Sequence, residues 1–356
     1  MKTFRVIGLM SGTSLDGLDV ADVTFNLDGS NQWVFKLNNS TLYSFDSKIL
    51  SLLKNGFNLP AQELVELSSN LGRFYATKVN EFLVEFNLKS TQFDFIASHG
   101  QTIFHQPNKG FTLQIGNGPE LAVNSNMPTV VDFRTKDVAL GGNGAPLIPV
   151  ADHLLFSNYA DTFLNLGGFS NFSFKKDGKV LSYDICPVNI IVNELMRNVG
   201  KEYDEGGDYG KQGQINQNLF QQLNSLAYFN EKGPKSLGWE WVEEHVFPLL
   251  NEEISTQDKI RTLYEHIAYQ IGVALNNVNS NSTLVTGGGA KNHFLIERIQ
   301  YYSKGKIVVP HEDLIDFKEA IGFAFLGLLK WQNQINVWSS VTGSRRDSSS
   351  GVVHFP

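Results

Sequence analysis

The residues best suited to chemistry form one stretch near the start of the chain, Gly8-Leu9-Met10-Ser11-Gly12-Thr13-Ser14-Leu15-Asp16-Gly17-Leu18-Asp19. Glycines let the backbone turn tightly and approach a ligand closely. Hydroxyl and backbone N–H groups bind phosphate oxygens, and carboxylates bind a metal ion or its waters. The alternative is a solvated turn, but a turn needs neither the three hydroxyls nor the two acids of this stretch. The pattern therefore favours a nucleotide or phosphate site.

Apolar runs on both sides of this stretch, residues 4–7 and 20–25, predict two strands joined as a hairpin. A Walker P-loop and a dinucleotide fingerprint both need a helix after the glycines, so both are excluded. A strand, a phosphate loop and a second strand are typical of actin-like and sugar-kinase ATPases.

The composition limits the class of protein. A chain of 356 residues, 42% of them hydrophobic, is long enough for two domains with real cores. The net charge is −7 and there is no long basic run, so neither nucleic acid nor an anionic membrane is an expected partner. Cys186 is the single cysteine, which fits a reducing compartment. Without a signal-peptide pattern or an apolar run of about twenty residues, we expect a cytoplasmic protein.

Hydrophobic periodicity predicts the same order of elements in both halves of the chain. That order is strand-strand-strand-helix-strand-helix-strand, and each copy opens on a glycine turn. In the first half we expect strands at 3–9, 18–27, 33–45, 93–98 and 129–133, and helices at 64–82 and 118–126. In the second half we expect strands at 161–166, 169–174, 180–185, 284–286 and 307–309, and helices at 188–199, 260–278 and 317–331.

The repeated order predicts an α/β fold with two ribonuclease H-like (actin/hexokinase-type) domains and a central cleft. We expect an N-terminal domain at 1–134, joined by 340–356, and a C-terminal domain at 135–339 with an insertion around 201–252. The glycine loop at 141–144 is the expected hinge between them. A pair of Rossmann-like domains would need strand–helix alternation from the first strand, which is absent.

Polar residues that follow first-half strands are candidates for a substrate site. His99 and Gln101 come directly after the strand at 93–98, an edge where ligands often bind. Arg134 follows the last strand of this half, and its guanidinium suits a carboxylate ligand. A structural histidine and a local Asp–Arg ion pair remain the alternatives at these positions.

Three second-half features are further candidates. Asp184 ends the third strand, where a carboxylate could deprotonate a hydroxyl or water. A predicted strand is joined to a helix by Gly287, Gly288 and Gly289. A tight turn between the two elements would explain one glycine but hardly three. Glu319 lies at the expected start of the last helix, where it either caps the helix dipole or points at substrate.

Seven ordered motifs resemble the anhydro-N-acetylmuramic acid kinase family. They follow the family patterns GxMSGTSxDGxD at 8–19, SHGQT at 98–102, DFRxxDxAxGGxGAPLxP at 132–149, DTGPxN at 184–189, GGGAxN at 287–292, KEAxAFA at 318–324 and VTGxRR at 341–346. The sixth motif has Gly322 where its pattern has alanine. The fourth motif departs from its pattern, because Ile185 and Cys186 stand where the family has threonine and glycine. Cys186 has no nearby histidine or lysine in sequence, and we interpret it as a packed thiol rather than a nucleophile.

The resemblance implies a kinase of peptidoglycan recycling. ATP would phosphorylate the 6-oxygen of 1,6-anhydro-N-acetylmuramic acid, while water opens the anhydro bridge to give N-acetylmuramic acid 6-phosphate. It implies ATP and Mg²⁺ as cofactors and Asp184 as the catalytic base, and it leaves the metal ligands open. The residues that it implies for ATP are Gly12, Thr13, Ser14, Leu15, Asp16, Gly17, Leu18, Asp19, Gly287, Gly288 and Gly289. Those that it implies for the sugar are Arg134, His99, Gln101 and Glu319.

Other functions remain open at this point. One is a sugar or polyol kinase of the same fold with a different acceptor. Another is a homologue that binds ATP but is catalytically impaired by the altered loop at Ile185 and Cys186. A nucleotide-gated assembly or chaperone protein of the actin–Hsp70 type is disfavoured, because the sequence contains no long peptide-binding segment. The expected partners are the small-molecule sugar and ATP, with a homodimer left open.

Overall fold

In the computed structural model, residues 3–12, 14–30, 32–250 and 253–356 are described. The chain forms two compact units. The first runs up to Phe156 and resumes from Phe317 to Pro356, and the second is Ser157–Asp316. Among the described residues, no helix has the length and apolar character needed to cross a membrane.

The strands of the described chain lie in three sheets. They are β1 Thr3–Met10, β2 Leu18–Leu27, β3 Trp33–Tyr43, β4 Phe95–Ser98, β5 Gln101–Gln106, β6 Phe111–Ile115, β7 Thr129–Val131, β8 Thr162–Leu166, β9 Phe169–Lys176, β10 Lys179–Pro187, β11 Ser282–Thr286, β12 Lys306–Val308 and β13 Val352–His354.

The α-helices lie in the segments that connect these strands. They are α1 Ser47–Lys54, α2 Ala61–Glu85, α3 Gly118–Ser125, α4 Thr135–Ala139, α5 Pro149–Leu155, α6 Asn189–Arg197, α7 Asp208–Lys211, α8 Gln217–Asn224, α9 Trp239–His245, α10 Thr256–Asn277, α11 His293–Tyr302, α12 Glu312–Trp331 and α13 Ser339–Thr342.

The first unit is built on a six-stranded sheet in the order β13-β7-β4-β1-β2-β3. Strands β1, β2 and β3 form an antiparallel meander, and β4 and β7 add in parallel on the other side of β1. The last strand, β13, pairs antiparallel with β7. The C-terminal segment is therefore part of the first sheet rather than a frayed tail.

The second unit repeats this topology in a five-stranded sheet, β10-β9-β8-β11-β12. Here β8, β9 and β10 form the antiparallel meander, and β11 and β12 add in parallel. When the strands of each sheet are numbered in chain order, the second sheet has the order 3-2-1-4-5 of a ribonuclease H-like domain, and the first has the same order with β13 added beyond its fifth strand. The expected α/β fold with two such domains is confirmed.

Each unit has its own hydrophobic core under a long amphipathic helix. In the first unit α2 buries Leu71, Tyr75 and Val79 against β1 and β2. In the second unit α10 buries Leu263, Ile267 and Ile271, residues that recur every four positions as the 3.6-residue helical period requires. These stripes were visible in the sequence, which explains why both helices were predicted.

The unit boundaries differ from the expected ones. Helix α5 and most of α12 belong to the first unit, so the chain divides at 156/157 and 316/317 rather than at 134 and 339. The loop at 141–144, the expected hinge, lies inside the first unit. Its Gly144 N–H donates to the buried carboxylate of Asp137 at 2.8 Å, and Asn143 N–H donates to the Thr342 carbonyl at 2.8 Å. These bonds tie the loop to the C-terminal segment.

Candidate active site

The glycine stretch of the first unit is the loop of the β1–β2 hairpin, as expected. Gly17 has a positive φ of 157°, and an added Cβ there would lie 2.5 Å from the Tyr43 carbonyl oxygen, so only glycine fits. At Gly12, among the described residues, an added Cβ would meet just one atom within 4 Å, Ser14 Oγ at 3.6 Å. Ser14 and Asp16 are exposed. Thr13, another residue of the predicted ATP loop, lies outside the described residues.

The base of this loop is fixed by a buried hydrogen bond. Ser11 Oγ donates to Gln101 Oε1, and both side chains are buried. Gln101 is the first residue of β5, in the two-stranded β5–β6 sheet that the sequence analysis missed. The predicted phosphate loop and the predicted sugar residue Gln101 are therefore directly connected.

His99 and Arg134 also meet. His99 follows β4, and its backbone N–H donates to the Leu9 carbonyl at 3.0 Å, next to the hairpin loop. Arg134 Nε and one terminal nitrogen lie 3.0 and 2.9 Å from His99 Nε2. The other terminal nitrogen of Arg134 donates to the Gly144 carbonyl at 2.7 Å. Arg134 is thus held by His99 and a loop carbonyl, and Asp132, its neighbour in sequence, accepts instead from the Thr135 N–H.

Burial and charge decide the protonation of this pair. Burial, with the nearby Arg134 charge, lowers the pKa of His99 to about 3. A neutral imidazole can accept at Nε2 from the guanidinium, which is what the distances show. Burial lowers the pKa of Arg134 to about 10, although the Glu319 charge opposes this, and Arg134 remains cationic at neutral pH.

Glu319 completes the charged group of the first unit. Burial of the surrounding site raises the pKa of Glu319. The positive charges of Lys318 and Arg134 oppose this shift, and the negative charge of Asp152 adds to it. The side chain nevertheless keeps access to solvent, whereas its neighbour Lys318 is buried in an ion pair with Asp152 at 2.8 Å. Glu319 is therefore available to a ligand.

The position of Glu319 excludes the helix-cap interpretation. Helix α12 begins at Glu312, five residues before the predicted start, so Glu319 lies about two turns inside it. The helix packs tightly on β1, because a Cβ added to Gly8 would collide with the carbonyl oxygen of Ala320. This close packing fixes the height of Glu319 above the first strand of the sheet.

In the second unit the Gly287-Gly288-Gly289 loop packs against the β8–β9 hairpin. A Cβ at Gly287 would lie 2.5 Å from Asn165 Oδ1, and one at Gly289 would lie 2.8 Å from Leu166 Cβ. Gly288 is different, because it is exposed and the atom nearest to an added Cβ, Asn189 Nδ2, is 3.9 Å from it. Packing therefore explains two of the glycines, and Gly288 is the one with an open face towards a ligand.

Asp184 lies near the end of the edge strand β10 and is half-buried. It is paired with Asn171 on β9, which is paired with Asn165 on β8. Directly paired residues project from the same face of a sheet, so the three form a polar row that reaches the Gly287 loop. Burial raises the pKa of Asp184, and a hydrogen bond from the Leu237 N–H, 2.9 Å from Oδ2, opposes the shift.

The altered residues after Asp184 are accommodated in the core. The register of β10 against β9 shifts between Asp184 and Cys186, so Ile185 is the extra residue of a β-bulge and is buried in the hydrophobic core. The Cys186 N–H donates to Ser170 Oγ at 3.1 Å, and burial raises the pKa of the thiol to about 12. Cys186 is a packed thiol, as the sequence predicts.

Among the described residues, no group of three or more His, Cys, Asp or Glu side chains is placed to hold a metal ion. The open faces of Gly12 and Gly288 leave room for a ligand, since a side chain at either position would occupy that space.

Some neighbours of the predicted residues were missed by the sequence analysis. Asn165 and Asn171 are polar residues in otherwise buried strands, a signal that could have been used. The Gly144 carbonyl and the Leu237 N–H are backbone groups, for which no residue type gives a signal. Ser11 was part of the glycine motif, but its bond to Gln101 could not be inferred from spacing.

Comparison with known proteins gives a match over nearly the whole chain. The family model described as anhydro-N-acetylmuramic acid kinase matches residues 4–356. The anhydro-N-acetylmuramic acid kinase of Aliivibrio fischeri is 34% identical over 376 residues, covering 98% of this chain and 99% of that protein. The kinase of the same name from Mannheimia succiniciproducens is 34% identical over 371 residues, covering 98% of each.

Two solved structures share a distant likeness with the chain. The Clostridium difficile activator of 2-hydroxyisocaproyl-CoA dehydratase with bound ADPNP has a TM-score of 0.43 and 12% identity, over 90% of this chain and 93% of that one. A Streptomyces griseus ROK family glucokinase with glucose and AMPPNP has a TM-score of 0.41 and 10% identity, over 90% and 98%. These scores are too low to carry an argument. The sequence matches are decisive, and the chain belongs to the anhydro-N-acetylmuramic acid kinase family.

Proposed function

We propose that the protein uses ATP and water to convert 1,6-anhydro-N-acetylmuramic acid into N-acetylmuramic acid 6-phosphate, a step of peptidoglycan recycling. The observation that carries the proposal is the family match over residues 4–356, in which Asp184, Arg134 and Glu319 each stand at the position of the same residue in a family motif. The network around Arg134 supports it, because it prepares a cation for an acidic sugar.

The proposed reaction joins hydrolysis to phosphoryl transfer. A water oxygen attacks C1 of the sugar, and the water proton passes to Asp184. The bond between C1 and the 6-oxygen breaks, and its electron pair stays on the 6-oxygen. That oxygen attacks the γ-phosphorus of ATP, and ADP leaves. Since burial raises the pKa of Asp184, the carboxylate is a stronger base than an ordinary aspartate.

The first unit would bind the sugar. Arg134 has planar N–H donors suited to the lactyl carboxylate, which distinguishes a muramic from a glucosamine sugar. His99 would hold the guanidinium in place from Nε2, as it does in the structure. Glu319 would accept from sugar N–H or O–H groups. Gln101 is buried against Ser11, so we assign it the task of fixing the hairpin that faces the phosphates.

ATP would be held through its phosphates and its nucleoside. The open face of Gly12 with the exposed Ser14 and Asp16 suits the phosphates, and the open face of Gly288 suits the nucleoside. When bound with the nucleotide, Mg²⁺ supplies charge neutralisation on the phosphates. Backbone N–H groups of glycine loops add donors without steric hindrance.

Acceptor profiling tests the proposal. The purified protein is incubated with ATP, Mg²⁺ and one acceptor at a time: 1,6-anhydro-N-acetylmuramic acid, N-acetylglucosamine, glucose or glycerol. Mass spectrometry and ADP release measure the products. We expect the highest kcat/KM with the anhydro-muramic sugar. A higher value with glucose or glycerol would identify a general sugar or polyol kinase, and ATP binding without any turnover would identify an impaired homologue.

A further inference from the structure

The residues from Tyr228 to Leu237, between α8 and α9, contact Asp184 through three hydrogen bonds. We call them the 228–237 segment. Tyr228 Oη donates to the Asp184 carbonyl at 2.7 Å, and the Asp184 N–H donates to the Lys235 carbonyl at 3.0 Å. The Leu237 N–H donates to Asp184 Oδ2 at 2.9 Å. Backbone and side chain of Asp184 are thus bound by the same short segment.

The position of β10 explains why Asp184 needs these partners. Strand β10 is the edge of the second sheet, and its pairing with β9 is shifted by the bulge after Asp184. An edge strand has backbone donors and acceptors that no neighbouring strand satisfies. The 228–237 segment supplies those partners at Asp184, so it replaces a strand at the point where the ladder is irregular.

The segment is itself held in a defined shape. Lys235 Nζ donates to the Tyr228 carbonyl at 2.5 Å and lies 4.0 Å above the Tyr228 ring. That ring packs on Trp241 of α9, with the ring centres 5.3 Å apart. Gly233 lies against Tyr183, because an added Cβ would be 2.5 Å from the Tyr183 ring. Rotation of the segment would therefore break several contacts together.

We propose that the 228–237 segment positions Asp184 as the base, with the Leu237 N–H orienting the carboxylate and Tyr228 fixing its backbone. The inference rests on the proposed function, which assigns the proton from water to Asp184. Tyr228 and Leu237 are positioning residues, since they act through Asp184. The segment lies within the expected insertion around 201–252, to which sequence analysis gave no role.

The charges near Asp184 set the expected pH effect. Tyr228 and Cys186 interact with its charge and are neutral groups with raised pKa values, as is Tyr183, the preceding residue of the strand. Lys235 lies beside Tyr228 and has a pKa lowered by burial. Glu231 acts on both Tyr228 and Lys235. The Leu237 N–H stabilises the Asp184 carboxylate, so loss of this donor raises the Asp184 pKa. The acidic limb of kcat then moves to higher pH.

Two substitutions at one position isolate the hydrogen bond. Leu237→Pro removes the backbone N–H. Leu237→Ala shortens the side chain to a similar extent but keeps the backbone N–H. The Asp184 pKa is measured in the full chain by ¹³C NMR of aspartate-labelled protein, and Asp184→Asn assigns the signal. We expect the pKa in Leu237→Pro to exceed that in Leu237→Ala by about one to two pH units. Equal pKa values in the two variants would overturn the role of Leu237.

A third variant keeps the test decisive if the proline prevents folding. Tyr228→Phe retains the ring that packs on Lys235 and Trp241, but loses the donor to the Asp184 carbonyl. We expect kcat to fall about tenfold with an unchanged KM for ATP, since one hydrogen bond is lost. The matched control Tyr269→Phe, on the exposed face of α10, should keep the wild-type kcat. An unchanged kcat in Tyr228→Phe would overturn the role of Tyr228.

These readouts separate the inference from the proposed function. The NMR titration needs no sugar and no turnover. A pKa difference between the Leu237 variants supports the inference even if the wild-type protein fails to phosphorylate the anhydro sugar. Failure of the inference alone would appear as an active wild-type enzyme whose Asp184 pKa is the same in both variants.

Discussion

At the residue scale, the first unit holds an arginine with a histidine that stays neutral. Because burial lowers the pKa of His99 to about 3, the imidazole keeps its acceptor over the whole physiological range. Arg134 is held at Nε and one terminal nitrogen by His99, and at the other terminal nitrogen by the Gly144 carbonyl. Because the side chain is already held in place, it loses less conformational entropy when it binds an anion.

Replacement of the proposed base tests the chemistry of the second unit. Asp184→Asn keeps the size of the side chain but cannot accept the proton from water. We expect kcat to fall by about 10²- to 10⁴-fold, with the ATP dissociation constant and the melting temperature unchanged. The same change in the turn between β9 and β10, Asp177→Asn, is the control and should retain wild-type kcat. A near-normal rate in Asp184→Asn would remove this residue from the mechanism.

Replacement of Arg134 by lysine tests recognition of the lactyl carboxylate. Lysine keeps the charge but loses the planar pair of donors. We expect KM for 1,6-anhydro-N-acetylmuramic acid to rise about tenfold or more, with a smaller rise for 1,6-anhydro-N-acetylglucosamine, which has no carboxylate. Steady-state kinetics with both sugars measures the difference. The surface variant Arg73→Lys serves as control, and an equal rise for both sugars would make Arg134 purely structural.

Residue types in the sequence were sufficient to predict which side chains to examine, but not their partners. Arg134 was a candidate because its guanidinium fits a carboxylate, and a local ion pair with aspartate was the alternative. The structure instead pairs it with His99, 35 positions away in sequence. Such a contact depends on β4 and β7 lying side by side, which no local pattern encodes. The contact between the Leu237 N–H and Asp184 is still harder to predict from the sequence, because every residue except proline has a backbone N–H donor.

At the element scale, the packing of α12 on β1 carries Glu319. Gly8→Ala should lower the free energy of unfolding by about 1–3 kcal/mol, since the new methyl group collides with the Ala320 carbonyl. The displaced helix also moves Glu319, so kcat/KM for the sugar should fall. Chemical denaturation and kinetics measure the two effects. Gly29→Ala is the control, because nothing lies within 4 Å of its added Cβ. Equal stability of the two variants would contradict this packing.

The glycine loop after β11 gives a second element-scale prediction. Gly289→Ala should destabilise the second unit, because its Cβ would lie 2.8 Å from Leu166 Cβ. Gly288→Ala has open space, so its free energy of unfolding should stay within about 0.5 kcal/mol of wild type. We expect the ATP dissociation constant of Gly288→Ala, measured by calorimetry, to rise several-fold. Unchanged ATP affinity would mean that this loop does not contact the nucleotide.

Periodicity predicted the elements that bury a continuous apolar stripe and missed those that do not. Helices α2 and α10 show such stripes, and both were predicted. The β5–β6 hairpin was missed because β5 has no alternation of apolar and polar residues. In β6 the residues do alternate, but the apolar Phe111 and Leu113 are exposed, so no buried stripe results. The early start of α12 was missed because its first residues, Glu312 and Asp313, are exposed acids typical of a loop as well as of a helix N-terminus.

At the scale of the whole molecule, the sequence contains one topology twice. The repeat could be predicted because each copy opens with a glycine hairpin between two apolar runs. The unit boundaries could not be predicted from the sequence, because they depend on where helices α5 and α12 pack. The buried Asp137 shows why the C-terminal segment joins the first unit, since it accepts from Thr342 Oγ1 at 2.8 Å and from the Gly144 N–H.

The most direct test of the central claim is isotope transfer from water during turnover. The protein is incubated with 1,6-anhydro-N-acetylmuramic acid, ATP and Mg²⁺ in ¹⁸O-labelled water, and early product is analysed by mass spectrometry. Authentic N-acetylmuramic acid 6-phosphate in the same water controls for exchange at C1. We predict a 6-phosphate with one ¹⁸O at C1 and none in the phosphate. A phosphorylated product that retains the anhydro bridge, or an opened product without the label, would contradict the account.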